Sequence, residues 1–403
     1  MSRTPARPSD TYSPLYFLAS LGAGGLAVSF FMWLMHWLPH PGKTVPVFED
    51  ITAAFANGSI LTQGMILLAL AGIAVFAFLN LKLLVWNLRS FAAWAKTDAY
   101  AKFARTNAQS QVMALPLALA MSVNVMFILG MVFVPRLWSV VEYLFPLALI
   151  AFLAIGAYGF KLYSGFLGRV LTEGGFNCAA NNNFGQILPA FAFAMVGVGL
   201  AAPAAMSTLP LVAGLGLVLS TFFLMTSGII AVVAMVLGLR SMMENGANPE
   251  TAPTLSIIVP LLAVLSILGL RQSHGLSAHF GSPDMAGETL AMLTKYLSVQ
   301  ILFLLFAGLV LVRQGYAQRF VFGAENSPGS YALVCPGVGF AVLIHFWLNK
   351  GLVDAGMVAK FSAGYWAITV VALVSQMAMI WLVWHLNRRH FGTPKPTGAV
   401  PAQ

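Results

Sequence analysis

The chain carries very little charge for its length. Of its 403 residues only 8% are Asp, Glu, Lys or Arg, whereas soluble domains carry roughly 25%. Hydrophobic residues make up 59% of the chain, and the mean hydropathy is +0.84. These values exclude an ordinary soluble domain and predict one polytopic membrane domain with short loops.

Cysteine is almost absent, since only Cys178 and Cys335 occur. Two cysteines exclude a disulfide framework, and the sequence contains no zinc or iron–sulfur ligand pattern. A phosphate-binding Gly-rich loop followed by lysine is also missing, which argues against ATP-driven transport by this chain alone. No Ser–His pair or set of carboxylates indicates a hydrolase. No two histidines stand mid-span on facing helices, which argues against haem. We therefore expect no enzyme, no cofactor and no metal site.

Long apolar runs dominate what is present. A membrane-spanning helix needs about 20 mostly apolar residues, and the sequence predicts ten such segments. The predicted organisation is a ten-helix transmembrane domain over 14–387, flanked by disordered cytoplasmic tails over 1–13 and 388–403. The ten segments are 14–38, 60–88, 111–134, 137–163, 186–204, 208–239, 254–271, 290–313, 331–349 and 362–387.

The basic residues predict the orientation of these segments. If the N-terminus is cytoplasmic, fourteen Lys and Arg residues fall on the cytoplasmic side and six fall outside. Cytoplasmic loops of membrane proteins carry an excess of Lys and Arg. We therefore expect both termini to be cytoplasmic, and we attribute the net charge of +9 to this bias rather than to nucleic-acid binding.

Prolines recur inside alternate apolar segments. Pro116, Pro189, Pro260 and Pro336 are 71 to 76 residues apart, and each such interval contains two apolar segments. A proline within a helix removes a hydrogen bond and kinks the helix. In lipid the freed carbonyl needs protein or water as a partner. The pattern predicts that the odd-numbered segments are kinked and face inward around a pore or transport pathway.

Polar side chains in the odd-numbered segments are small and uncharged. Ser122, Asn124 and Ser256 would each offer a hydroxyl or an amide to an anion in such a pathway. The alternative is that these side chains satisfy backbone groups or assist helix packing. His345 has two interpretations as well, since it would either confer pH sensitivity or remain a neutral, hydrogen-bonded side chain.

Basic and asparagine-rich positions near the segment ends are candidate solute contacts. Lys161 and Arg271 would attract anions to the ends of the pathway, or would anchor the chain at the membrane interface. Asn181, Asn182 and Asn183 would cap the fifth helix and offer amide donors. If Cys178 and Cys335 both face one lumen, they would contact a soft anion or a sulfur compound. The alternative is that both are small, unreactive side chains.

Four proline- or glycine-rich segments carry a resemblance to a known family. The segments are SPLYFLASLGAGGLAVSFFMWLMH (13–36), NNNFGQILPAFAFAMVGVGLAAP (181–203), APTLSIIVPLLAVLSILG (252–269) and SYALVCPGVGFAVLI (330–344). They resemble the odd-numbered helices of the tellurite-resistance/dicarboxylate transporter family, which includes the slow anion channels of plant guard cells. The resemblance extends over 14–387 and depends on pattern more than on long identical words.

The resemblance implies a specific fold and assembly. Members of the family have ten transmembrane helices in five hairpins around a central pore with pseudo-five-fold symmetry. Their odd-numbered helices line the pore, the even-numbered helices form an outer ring, and the subunits assemble as trimers. An aromatic side chain of the ninth helix closes the pore. Here Cys335 precedes Pro336, and the nearest aromatic residue is Phe340, so we expect Phe340, with Phe127 and Phe193, to form the gate.

The function expected from these observations is passive or proton-linked movement of a small anion. The candidates are an inorganic or sulfur oxyanion, a halide and a dicarboxylate. The expected location is the bacterial inner membrane, in a homo-oligomer that is a trimer by the resemblance, with a dimer as the alternative. The alternative function is that of a thiol-redox protein that uses Cys178 and Cys335.

Overall fold

The computed structural model describes residues 12–283 and 285–391 and is helical throughout, with 83% helix and no strand in that part of the chain. Ten of its helices are long and apolar enough to cross a membrane, which confirms the ten predicted segments. The helices are α1 Pro14–Trp37, α2 Ile60–Trp94, α3 Asn107–Phe133, α4 Leu137–Glu173, α5 Gly185–Met206, α6 Pro210–Asn245, α7 Ala252–Phe280, α8 Ala286–Arg313, α9 Pro328–Val353 and α10 Ala363–Phe391.

Several helices run beyond their predicted ends. The last helix continues to Phe391, so residues 388–391 are helical rather than part of a tail. At the other end Tyr12 is buried, and its hydroxyl donates to Asn87 Oδ1 at 2.8 Å. The predicted N-terminal tail therefore ends before Tyr12. The remainder of both tails, 1–11 and 392–403, lies outside the described residues.

The ten helices divide into two classes by burial. The most apolar stretches of α1, α3, α5, α7 and α9 are between 67% and 94% buried within the protein. The corresponding stretches of the even-numbered helices are only 17% to 39% buried. Because all ten stretches are similarly apolar, sequence composition does not separate the two classes. The odd-numbered helices form the interior, and the even-numbered helices present apolar side chains outward.

The contacts between helices follow one repeating order. Each odd-numbered helix packs against the even-numbered helix that follows it in the chain. The odd-numbered helices also contact each other in the closed sequence α1, α3, α5, α7, α9 and back to α1. Small residues permit some of these approaches. A Cβ atom added to Gly339 on α9 would lie 2.8 Å from Pro260 Cα on α7.

The four prolines lie where one type of helix changes into another. Pro116, Pro260 and Pro336 are each the third residue of an α-helical stretch, and Pro189 is the second residue of another. A 3-10 segment precedes each stretch. Proline is tolerated in the first turn because its missing N–H would have no partner there. The prediction of a kink in mid-helix is thus corrected, since the prolines begin α-helices.

Repeated hydrogen bonds join the helices of a hairpin near these prolines. On α6, Ser227 Oγ donates to the Ala190 carbonyl oxygen at 2.8 Å. On α8, Gln300 Nε2 donates to the Val259 carbonyl oxygen at 2.7 Å, and on α10 Ser375 Oγ donates to the Gly337 carbonyl oxygen at 2.8 Å. Each acceptor is adjacent in sequence to Pro189, Pro260 or Pro336. In three hairpins, therefore, a polar side chain of the even-numbered helix bonds the backbone of the preceding helix at the proline level, and two of these side chains, Ser227 and Gln300, are fully buried.

Candidate functional site

A cavity of about 870 Å³ lies between the odd-numbered helices. All five of these helices contribute residues to its wall, and α4 and α8 add a few. On α7 the wall extends from Pro260 to His274, roughly 21 Å along a helix that rises 1.5 Å per residue. The cavity begins near the proline level and reaches the end at which the odd-numbered helices finish.

Each odd-numbered helix presents one stripe of side chains to this cavity. The stripes advance by three or four residues at a time, which is the spacing of one helix face. They are mostly apolar. The main stripes are Leu21, Gly25, Val28, Met32 and His36 on α1; Met121, Asn124, Ile128 and Met131 on α3; Phe191, Met195, Val198, Ala202 and Met206 on α5; Pro260, Ala263, Ile267, Leu270 and His274 on α7; and Cys335, Val338, Val342, Phe346 and Asn349 on α9.

The floor of the cavity is apolar and lies at the proline level. Its residues nearest to the start of each odd-numbered helix are Leu21, Met121, Phe191, Pro260 and Cys335. Phe191 has the largest side chain of the five and is buried. An apolar surface of this kind offers nothing to replace the hydration of an ion.

The opposite end of the cavity, the mouth, is basic. Lys43, Arg271, Lys350 and Lys360 line it, and Asp354 is the one acidic residue among the described lining residues. Lys43 pairs with Asp50 at 2.8 Å, and Lys350 pairs with Asp354 at 3.5 Å. Arg271 and Lys360 form no ion pair within 4 Å in the described part of the chain. The mouth therefore has an uncompensated positive charge.

Arg271 is held against the cavity wall by the backbone of a neighbouring helix. Its Nη1 atom donates to the Val198 carbonyl oxygen of α5 at 2.6 Å. A guanidinium has five N–H donors in a planar fork, so this bond leaves donors for another acceptor. A half-buried cation beside apolar walls attracts an anion more strongly than one in water, because the local dielectric is lower.

Two groups at the mouth have perturbed proton affinities. Burial, and then the neighbouring Lys350, lower the pKa of Lys360, although Asp354 acts in the opposite direction. Burial is also the largest cause of the lowered pKa of His40. The hydrogen bond between its Nδ1 and the Leu38 carbonyl oxygen, at 2.9 Å, acts in the opposite direction and raises the pKa. Crowding of like charges and partial burial both disfavour further positive charge. An anion at the mouth would relieve this repulsion.

The structure brings several sequence-predicted site residues to the cavity. Asn124, Phe127, Arg271 and Cys335 all line it, as does Pro260. Asn124 Nδ2 donates to the Ala120 carbonyl oxygen at 3.0 Å and lies 3.7 Å from Met195 Sδ. Its carbonyl group has no partner among these bonds, so Asn124 is a polar group part of the way down an apolar wall.

Phe340 and Phe193, predicted as gate residues, do not line the cavity. Phe340 is half-buried in a cluster with Ala263 and Leu293, between α7, α8 and α9. Phe193 is buried against α4, where its ring stacks on that of Phe160 with centroids 4.4 Å apart. Both rings pack between helices and do not face the cavity. Phe191, two residues before Phe193, does line it.

Ser122, Ser256 and Lys161 also lie away from the cavity. Ser122 Oγ donates to the Ala118 carbonyl oxygen at 2.9 Å, and Ser256 Oγ donates to the Pro253 carbonyl oxygen at 2.7 Å. Both hydroxyls therefore satisfy backbone groups, as the alternative interpretation had it. Lys161 is exposed on α4, where the snorkelling interpretation applies.

Two asparagines of the run between α4 and α5 form hydrogen bonds with backbone groups of the protein. Asn183 Oδ1 accepts from the Gly185 amide at 2.8 Å in a turn just before α5, although the N-cap residue of that helix is Phe184, which makes no side-chain cap bond. Asn182 Nδ2 donates to the Gly246 carbonyl oxygen at 2.8 Å. Asn181 is buried with no partner for its Nδ2 atom. Cys178 is exposed in this loop, whereas Cys335 is buried at the cavity floor. The two cysteines do not share one lumen.

Two histidines pack together near the outer end of the cavity, contrary to the expectation from the sequence; His36 lines the cavity, whereas His345 is fully buried and does not. His36 on α1 and His345 on α9 have nearly parallel rings with centroids 6.1 Å apart. His345 was considered alone, and its pairing with His36 was missed because the two residues lie on different helices, 309 positions apart in the sequence. Among the described residues no group of three or more His, Cys, Asp or Glu side chains can hold a metal ion.

The sequence also gave no sign of Phe191, Lys43, Lys350 or Lys360 as cavity residues. The odd-numbered helices are apolar on all faces, so no periodicity marks which face lines the cavity. The lysines lie beyond or at the helix ends, where charged residues are ordinary.

Comparison with known proteins adds no family assignment. A scan against models of protein families found no match, and a search of the curated proteins found no match either. The functional conclusion consequently depends on the geometry of the cavity.

Proposed function

We propose that this protein is a membrane channel or transporter that moves a small anion through a pore within each subunit. One observation supports this most. All five odd-numbered helices line a cavity, and Arg271, which has no acidic partner among the described residues, lies at its mouth. A positively charged mouth concentrates anions, and apolar walls strengthen the attraction.

We further propose that the ten helices form five hairpins with pseudo-five-fold symmetry around this pore. Three observations support the arrangement. The odd-numbered helices contact each other in a closed order, each is followed by a packed even-numbered partner, and three hairpins share a hydrogen bond at the proline level. The resemblance to the tellurite-resistance/dicarboxylate transporter family agrees with the same arrangement.

The barrier in this pore is the apolar floor formed by Leu21, Met121, Phe191 and Cys335. A low-charge pathway needs such a barrier to avoid a constant leak. Phe191 replaces Phe340 as the gate residue in this proposal, because Phe191 lines the cavity and Phe340 packs between helices. The ring of Phe127 lies further toward the mouth and narrows the route to the floor.

The size of the cavity limits the solute. A volume of about 870 Å³ is within the range of roughly 300–1,000 Å³ typical of small-molecule pockets. It accommodates a hydrated inorganic anion or a dicarboxylate. Asn124 and Arg271 are among the polar groups that such a solute meets along the wall. The protein functions in the inner membrane as a homo-oligomer, a trimer by the resemblance, with lipid around the apolar even-numbered helices.

A thiol-redox function is a weaker candidate. It requires Cys178 and Cys335 to act on one substrate, yet one is exposed in a loop and the other is buried at the cavity floor. The same experiment below separates the two functions.

The test is a flux assay on purified protein in liposomes. Chloride, nitrate, sulfite, tellurite and a dicarboxylate such as malate are offered one at a time, and efflux is followed with and without an ionophore that balances charge. We expect flux of at least one anion and none of potassium or choline. A protein in which both cysteines are replaced by serine should keep this flux. Absence of flux for every anion would refute the proposal.

A further inference from the structure

The two facing histidines have ring nitrogens with no partner. His345 is 0% exposed, and both its Nδ1 and Nε2 atoms lack a hydrogen bond. His36 is 4% exposed, lines the cavity, and its Nε2 atom likewise lacks a partner. Buried polar atoms are nearly always hydrogen-bonded, because leaving one unpaired costs the desolvation of that group. Three such atoms in one pair of rings therefore call for a ligand.

The geometry defines what this ligand is. The rings lie nearly parallel at 16°, with centroids 6.1 Å apart, and no hydrogen bond joins them directly. Fixed neighbours hold the pair. Trp37 stands edge-on to His345 and donates from Nε1 to the Tyr365 hydroxyl at 3.1 Å, while Asn349 Nδ2 holds the His345 carbonyl oxygen at 2.8 Å. The unpartnered nitrogens lie in the planes of these rings, where a proton on one of them, or a water molecule, would supply the missing hydrogen bond.

We propose that His36, in the cavity wall, and His345, buried beside it, form a proton-binding site, and that the protein moves its anion together with a proton. This inference rests on the proposed function. In each cycle a proton from bulk water enters with the anion, binds to a ring nitrogen of the pair, and is released with the anion on the other side. No bond other than that to the proton is formed or broken.

The charges around the pair explain why proton and anion bind together. Lys350 at the end of α9, Lys360 in the next loop and His40 after α1 act on His36 electrostatically. Asp354, and Arg271 and His274 on α7, line the same cavity, and Tyr365 on α10 bonds Trp37 beside the pair. In the described part of the chain, α2, α3, α8 and α10 bring no charged side chain to the cavity wall. A proton therefore joins an excess of positive charge unless an anion is present.

Linkage makes this coupling reciprocal. If an anion raises the proton affinity of the pair tenfold, protonation of the pair raises the anion affinity by the same factor. We expect the midpoint of the titration of the pair to rise by about one pH unit or more, a tenfold change in proton affinity, when the anion binds. A pore whose anion site is not linked to a proton site has no such dependence.

The first test measures uphill transport. Liposomes containing the intact protein receive the anion that passes the flux assay, at equal concentration inside and outside, and a pH gradient that is acidic outside. The wild-type protein should accumulate the anion, whereas His36→Gln and His345→Gln should show only downhill flux. His279→Gln is the matched control, because His279 lies on α7 away from the cavity and bonds the Ser207 carbonyl oxygen.

The second test does not depend on transport. A protonated imidazole quenches a neighbouring indole, so the fluorescence of Trp37, taken as wild type minus Trp37→Phe, reports protonation of His345. We expect quenching on acidification, with a midpoint that rises when the anion is added, and no quenching step in His345→Gln. Gel filtration verifies that each variant is folded.

The outcomes separate the two proposals. Downhill flux without accumulation, or a Trp37 titration that ignores the anion, would overturn the proton site and leave the anion pore standing. No flux of any anion would overturn the pore, and a Trp37 titration absent from pH 4 to 8 would then overturn the histidine site as well. Accumulation lost only in the two histidine variants supports both.

Discussion

Arg271 on α7 and Val198 on α5 are joined by a hydrogen bond of 2.6 Å from Nη1 to the carbonyl oxygen. Both residues line the cavity. The bond connects two neighbouring helices of the interior and sets the guanidinium at the mouth without an acidic partner. From the sequence, Arg271 is an ordinary cation near the end of a helix. In the structure, this bond places its side chain at the cavity wall, where it can contact a solute.

Replacing Arg271 should weaken anion binding. A hydrogen bond to a charged group contributes about 1.5–3 kcal/mol, so Arg271→Gln should raise the half-saturating anion concentration by roughly ten- to a hundredfold. Arg271→Lys should lose less, since it keeps the charge but not the fork. Concentration-dependent flux measures both. Arg136→Gln is the control, because Arg136 is exposed between α3 and α4, outside the cavity. An equal rise in the half-saturating anion concentration in Arg136→Gln would show that Arg271 has no specific role in anion binding.

The lysines of the mouth should act through long-range attraction. Replacing Lys43, Lys350 and Lys360 together with glutamine should lower anion flux about tenfold at low ionic strength. The difference should shrink above 0.1 M salt, where the Debye length is about 10 Å. The matched control changes Lys82, Lys161 and Lys295, none of which lines the cavity. A loss that is independent of salt would argue for direct contacts instead.

Phe191 should control leakage through the floor. Phe191→Ala removes the largest ring at the proline level, and a barrier lowered by about 1.4 kcal/mol raises the rate tenfold. Flux and melting temperature are measured on the same sample. Phe193→Ala is the comparison, since Phe193 is buried against Phe160 and should lose about 3–5 kcal/mol of stability without a gain in flux. If Phe193→Ala or Phe340→Ala opens the pore and Phe191→Ala does not, the floor is misassigned.

The two cysteines should respond differently to a thiol reagent. A small methanethiosulfonate that enters the cavity should block flux by modifying Cys335 at the floor, and Cys335→Ser should be insensitive. Cys178→Ser should remain sensitive, because Cys178 is exposed outside the cavity. Flux after treatment is compared with modification counted by mass spectrometry. Block through Cys178 alone would contradict the placement of the pathway.

The orientation is tested in the variant that lacks both cysteines. Single cysteines at Lys102 and Glu244 should resist an impermeant maleimide added to intact cells, and one at Met357, which is 67% exposed near the mouth, should react. The charge bias of the loops is the reason for this expectation. Labelling at Lys102 with protection at Met357 would invert the protein in the membrane and turn the mouth toward the cytoplasm.

The sequence by itself determined the class of protein, the number of membrane helices and their approximate bounds. Low charge and ten long apolar runs suffice for this, because a helix that crosses lipid must be apolar over about 20 residues. The proline spacing also marked the odd-numbered helices, although the prolines begin α-helical stretches instead of kinking them. The expectation that the asparagine run supplies local backbone hydrogen bonds was met in part, since Asn183 accepts from the Gly185 amide, although it is not the N-cap residue of α5.

Only the tertiary structure decided which face of each helix looks inward. Phe191 and Phe193 are two residues apart on one helix that is apolar all round, so no hydrophobic pattern chooses between them. The same holds for Phe340, whose neighbours are α7 and α8, and for His36 and His345, which come together only when α1 packs on α9. Lipid tails are as apolar as the helix faces, so every apolar face is equally stable against lipid. Helix packing, rather than hydrophobicity, therefore selects the residues of the site.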